Sequence, residues 1–173
     1  SAQDYVFATI CLATWFYLND NQYYYCDYEE GARILTELAD RDNVYALYYL
    51  GLCYRWGKGV DQDINKSFEL VKQSADLGYA EAQVGIANGY LNPDPELGIE
   101  QDFSNAMIYL KMAANQGYPI AMYLIGEMYK NGFGVDKDLN EAEKWFKKAS
   151  DQGFTSQTYQ QMQQMQQQQF QNE

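Results

Sequence analysis

ALYYLGLCY (Ala46–Tyr54), AQVGIANGY (Ala82–Tyr90) and AMYLIGEMY (Ala121–Tyr129) are one pattern written three times. Each reads small residue, three residues, aliphatic, small residue, two residues, tyrosine. Positions i, i+4, i+5 and i+8 share one face of a helix. Small residues on that face let a neighbouring helix come close, because the distance between helix axes follows the side chains at the contact. A fainter copy, ATICLATWF, runs from Ala8 to Phe16. The spacing predicts helices that pack on one another through equivalent faces.

Each such helix is followed by a turn and a second helix. The turns RWGKGVDQD (Arg55–Asp63) and KNGFGVDKD (Lys130–Asp138) carry two glycines each, where the chain has to reverse. Asp63 and Asp138 then stand at helix starts, where a carboxylate accepts free backbone amides. The second helices are NKSFELVKQSADLG, SNAMIYLKMAANQG and NEAEKWFKKASDQG. They share a small residue (Ser67, Ala106, Ala142) and a large one three later (Leu70, Tyr109, Trp145). They end at Gly78, Gly117 and Gly153, the common stop signal. Gly57-Lys58-Gly59 lacks the spacing of a phosphate-binding loop and follows a helix rather than a strand, so it reads as a turn.

The combined pattern is A-x-x-x-L-G-x-x-Y, then G-x-G-V-x-x-D, then A-x-x-W-x-x-K-A-S-x-x-G. It resembles the Sel-one-like repeat family, a relative of the tetratricopeptide repeats. Ala121, Ile125, Gly126, Tyr129, Gly132, Gly134, Val135, Asp138, Ala142, Trp145, Ala149 and Gly153 carry the likeness in the last copy, and Gly51, Tyr54, Gly57, Gly59, Val60 and Asp63 in an earlier one. The copy between them departs, with Ala87 in place of a glycine and two prolines in the turn LNPDPELGIEQD. The first copy is degenerate, with Ala13 at the glycine position and NDNQYYYCD in place of the glycine turn. The resemblance implies an all-α fold, a right-handed superhelical α-solenoid of helix-turn-helix repeats. We expect a single repeat domain over 1–173. It divides into a degenerate repeat at 4–43, repeats at 44–79, 80–118 and 119–154, and a glutamine-rich capping helix or tail at 155–173. That tail holds ten glutamines, and Tyr159, Met162 and Met165 recur at threes. We expect one or two amphipathic turns covering the last repeat and fraying beyond about Gln166, since stacked repeats need a capped end.

Composition narrows the function. Acidic residues number 24 against 12 basic ones, for a net charge of −12. Such a chain repels nucleic acid and anionic membranes. It favours a basic protein partner, although the same charge also serves solubility alone. There is no histidine, which removes histidine-based catalytic triads and histidine-containing zinc sites. Cys11, Cys26 and Cys53 form no C-x-x-C pair and read as reduced, packed thiols. The apolar stretch Tyr5–Leu18 is too short to span a bilayer. It lacks the basic flank and cleavage site of a signal peptide. The start without methionine points to a segment removed upstream. The sequence leaves the compartment open between the cytoplasm and a secreted or periplasmic destination. The carboxylates Asp94, Glu96, Glu100 and Asp102 do not fit an EF-hand loop and read as a solvated turn. No metal and no cofactor is implied.

The resemblance also implies that the first helix of each pair lines the concave side. By phase, the residues facing that groove are Phe7, Ile10, Thr14 and Tyr17, then Tyr45, Tyr48, Leu52 and Arg55. Glu81, Val84, Asn88 and Leu91 follow, and then Ile120, Tyr123, Glu127 and Lys130. The set is rich in tyrosine, which contributes strongly to contact energy at interfaces. The alternative for any of these rings is burial by the twist of the stack. Tyr23, Tyr24 and Tyr25 form a second candidate, an interaction loop or a cover for the first repeat. Relatives in this family act as scaffolds, adaptors and inhibitors of toxic effectors, so we expect a protein-interaction module that is not an enzyme. One alternative is a structural subunit of a larger assembly. The other is a penicillin-binding or penicillin-hydrolysing enzyme, as described for cysteine-rich relatives whose regular cysteine pairs this chain lacks.

Overall fold

The structure is a computed structural model that describes residues 28–92 and 100–171, with side chains as far as 165. Among these residues are eight α-helices and no strand. They are α1 (Tyr28–Ala39), α2 (Val44–Trp56), α3 (Ile64–Asp76), α4 (Ala80–Leu91), α5 (Phe103–Asn115), α6 (Pro119–Asn131), α7 (Leu139–Asp151) and α8 (Ser156–Gln171). The closest packing falls within the pairs α2–α3, α4–α5 and α6–α7, and looser contact joins each pair to the next. This is the architecture of a helical solenoid.

Local chemistry sets where the helices begin. Asp63 accepts the amide of Lys66, Asp102 that of Asn105, and Asp138 those of Asn140 and Glu141. Each cap contributes about 1 kcal/mol to its helix. The helix faces pack as their small residues dictate. Ala46, Ala82 and Ala121 are fully buried. A Cβ on Gly51 would stand 2.7 Å from the Val71 side chain, and one on Gly126 2.6 Å from the Phe146 ring. The close approach of α2 to α3 and of α6 to α7 therefore depends on the missing methyl, while α4 carries Ala87 at that place.

The second glycine of each turn does a different job. Gly59 has φ +72°, and a Cβ there would lie 1.9 Å from the Tyr28 carbonyl oxygen. Gly134 has φ +66°, and its Cβ would lie 2.3 Å from Cβ of Phe103. Tyr28 and Phe103 are the first residues of α1 and α5. Each of these turns is thus seated on the start of the helix that precedes its own pair, and α1 stands to α2 as α5 stands to α6.

The buried core lies in two parts. Leu35, Ala39, Ala46, Leu47, Leu50 and Cys53 fill the space under α1 and α2. A larger cluster runs from Val71 through Ile86, Leu110 and Ile125 to Met128. Side chains such as Leu110 and Ile125 are fully buried, and each contributes about 1.5–3 kcal/mol. The glutamine-rich end differs from the expected one or two turns. It forms α8 as far as Gln171. Glutamine is a good helix former and no glycine or proline interrupts the segment, so the helix propagates.

Candidate protein-binding face

Phe7, Ile10, Thr14, Tyr17 and the loop Tyr23, Tyr24 and Tyr25 lie outside the described residues, as do Asp94 and Glu96. The remaining groove candidates fall into two clusters at different positions along the stack.

The first is built on α2 and α4. The Tyr45 ring is 37% exposed and meets Tyr79 edge-on at 5.0 Å. Tyr79 also meets Tyr48 at 5.2 Å, and Tyr48 meets Tyr49 at 5.3 Å. The Tyr79 hydroxyl donates to Oε2 of Glu81 at 2.6 Å. Burial raises the pKa of Tyr48, Tyr79 and Tyr118, with the nearby Glu81 charge adding to each, and Tyr118 is pushed up to about 12. These hydroxyls therefore stay protonated, as donors, across the physiological range. Leu52 and Asn88 are half-buried alongside, and Arg55 is exposed.

The second cluster closes the other end. Tyr123 is only 9% exposed. It packs against Tyr159 at 4.8 Å, Phe146 at 5.2 Å and Phe154 at 5.8 Å. Val84, at the equivalent place one pair earlier, is 7% exposed. The expectation that Tyr123 and Val84 face an open groove is therefore corrected. The start of α8 covers Tyr123, and Val84 belongs to the main core. The part of Tyr123 left uncovered joins Phe146 and Phe154 in lining an open cleft of about 910 Å³, with Lys130, Lys144 and Lys147 among its polar residues. Lys130 reaches Oε1 of Glu127 at 3.0 Å.

Tyr79, Tyr118 and Phe154 are absent from the residues singled out by phase. Each directly follows a helix-ending glycine (Gly78, Gly117, Gly153), so an aromatic after the stop signal marks them in the sequence. They sit at or just before the starts of α4, α6 and α8, where Tyr79 and Phe154 turn onto the preceding first helix and Tyr118 packs against the main core.

Other chemistry is sparse. Asp102 is occupied as a helix cap. No group of three or more His, Cys, Asp or Glu side chains among the described residues is placed to hold a metal. The Cys53 thiol is buried and pushed up to about 11 by that burial, which suppresses the nucleophilic thiolate. No helix among the described residues is long and apolar enough to cross a membrane.

Comparison with known proteins places this geometry. The Sel1 repeat model matches residues 44–79, 80–118 and 119–154. A chitin synthase regulator of Malassezia restricta is 29% identical over 130 residues, covering 75% of this chain and 9% of its own length. Its Saccharomyces cerevisiae counterpart is 30% identical over 125 residues, covering 72% of this chain and 18% of its own. The DAP3-binding cell death enhancer 1 of Rattus norvegicus is 26% identical, covering 73% of this chain and 31% of its own length. The chain thus spans a minor part of each of these relatives. Among solved structures, a Sel1 repeat protein from Oxalobacter formigenes superposes with a TM-score of 0.75 at 25% identity, covering 86% of this chain and 58% of that one. A protective antigen of uropathogenic Escherichia coli with an SLR fold gives 0.74 at 26% identity, covering 86% and 31%.

Proposed function

We propose that this chain, which belongs to the Sel1 repeat family, holds a segment of a partner protein along the face formed by α2, α4 and α6. Its relatives carry the names of regulators and of a binding protein. At that level the chain is a protein-interaction module. The observation that carries the finer reading is the tyrosine cluster around Glu81, with the exposed Tyr45 ring at its edge. Half-buried tyrosines held edge-on by one another offer rigid contact area at little cost in side-chain entropy. The reading is non-catalytic. It is supported by the absence of histidine and by the burial of the Cys53 thiol.

The test is affinity capture from native lysate with the chain and a Tyr45→Lys variant side by side. Tyr45 is exposed enough for lysine to leave the helix content unchanged by circular dichroism. Loss of one specific captured protein in the variant supports the α2–α4–α6 face. Equal capture by both chains removes it as the binding site. Charge at Tyr123 is the wrong probe, because that ring lies in the packing under α8.

A further inference from the structure

We propose that Glu81, together with Tyr45, Tyr48 and Tyr79, forms a socket for the guanidinium group of an arginine presented by the partner segment. The inference rests on the reading of this face as the binding face and names the chemistry of one anchor.

Three observations converge on it. First, Glu81 makes no ion pair among the described residues, although Glu30, Glu37, Asp76, Glu127 and Glu141 all do. Its one hydrogen bond, from the Tyr79 hydroxyl, ends on Oε2. A carboxylate offers about four acceptor positions, and a guanidinium fork takes up two oxygens at once. Second, the carboxylate is bonded to Tyr79, whose ring meets those of Tyr45 and Tyr48. The face of an aromatic ring attracts a cation, arginine more often than lysine in protein contacts. Third, the site is held in shape. Glu81 lies in the first turn of α4, where the helix dipole favours a negative charge, and Tyr79 fixes its rotamer from the cap position. Tyr48 and Tyr79 are half-buried, and Tyr79 meets both Tyr48 and the more exposed Tyr45 edge to face. A preformed socket loses little entropy on binding. The net charge of −12 draws a cationic segment towards it. Arg55 lies near enough to influence the Tyr48 hydroxyl, yet it makes no ion pair with Glu81.

The experiment titrates N-acetyl-arginine amide into the whole chain and follows tyrosine-ring and backbone resonances by NMR. N-acetyl-glutamine amide is the neutral control. Glu81→Gln is the variant, since glutamine keeps an acceptor for the Tyr79 hydroxyl; matched melting curves confirm its fold. The expected result is saturable shifts confined to the residues around Glu81 and absent with the glutamine amide. Affinity is about tenfold weaker in Glu81→Gln, the loss typical of removing one charge-assisted contact. Equal binding by both amides, equal binding by Glu81→Gln, or no saturable shift overturns the socket. If Tyr45→Lys abolishes partner capture while the arginine amide fails to bind, the socket alone is wrong. If the amide binds through Glu81 while capture is indifferent to Tyr45→Lys, the socket stands and the α2–α4–α6 face loses its assignment as partner groove.

Discussion

Gln116 donates its side-chain amide to Oε1 of Gln83 at 2.9 Å, while Gln83 passes its own amide to the Ala75 carbonyl at 3.0 Å. Two glutamines thereby join the ends of α3 and α5 through α4. Gln83 is 1% exposed and Gln116 is on the surface. Replacing Gln83 with alanine removes both bonds and leaves a void, at a cost of about 1–3 kcal/mol. Gln116→Ala should cost about 0.5–1 kcal/mol, because water replaces the lost bond on that side. Urea unfolding midpoints at constant slope measure both.

The turn glycines separate strain from collision. Gly78 has φ +103° and open space for 4 Å around the place a methyl would take, whereas Gly59 has φ +72° and a backbone carbonyl in the way. Gly78→Ala should cost about 1–2 kcal/mol from the left-handed backbone alone. Gly59→Ala should cost more, and its loss should be local. Amide exchange should accelerate across α1 while α5 and α6 keep their protection.

Tyr159 tests whether α8 is a structural cover. Its ring meets Tyr123 at 4.8 Å and Phe154 at 6.3 Å. Tyr159→Ala should lower stability by about 1–3 kcal/mol, combining lost burial with a lost aromatic pair. The same change at the exposed Tyr45 should cost under about 1 kcal/mol. Thermal unfolding of the two variants distinguishes them. Equal effects would mean that α8 does not cover the last pair.

Alkaline pH should unfold the chain. Burial, reinforced by Glu81, raises the folded pKa of Tyr48, Tyr79 and Tyr118 above the unfolded value of 10.0. A raised folded pKa gives stability that is full below the unfolded pKa and is lost as pH rises towards the folded one. The urea midpoint should therefore hold steady to about pH 9 and fall beyond about pH 10. Part of the tyrosinate absorbance should appear only as helix content is lost. Tyr48→Phe should flatten the fall.

The repeat was legible because its determinants are local and recur. The capping aspartates at 63 and 138 act within one turn of their own position, and alanine at 46, 82 and 121 recurs at the buried face of each first helix. The proposed binding face was legible only in part. Phase put Tyr45, Tyr48 and Glu81 on one side, and the structure gathers them around Tyr79. The same phase put Val84 and Tyr123 there too. A helical wheel records direction but not what the next helix covers, and the rings of α8 and Phe154 close over Tyr123 from a later part of the chain. Tyr79 and Tyr118 escaped because they precede their helices and have no place on the wheel.

The main contacts in this molecule join helices that are consecutive in the chain. Among the described helices no main contact therefore ties the first to the last, and their number acts as an adjustable ruler. Inserting or deleting one helix pair at a glycine turn would lengthen or shorten the reach of the tyrosine face by one step while leaving every other seat as it is. Under tension at its two ends the same molecule would peel pair by pair instead of bursting at once, with the section around Ile86 and Leu110 the last to let go.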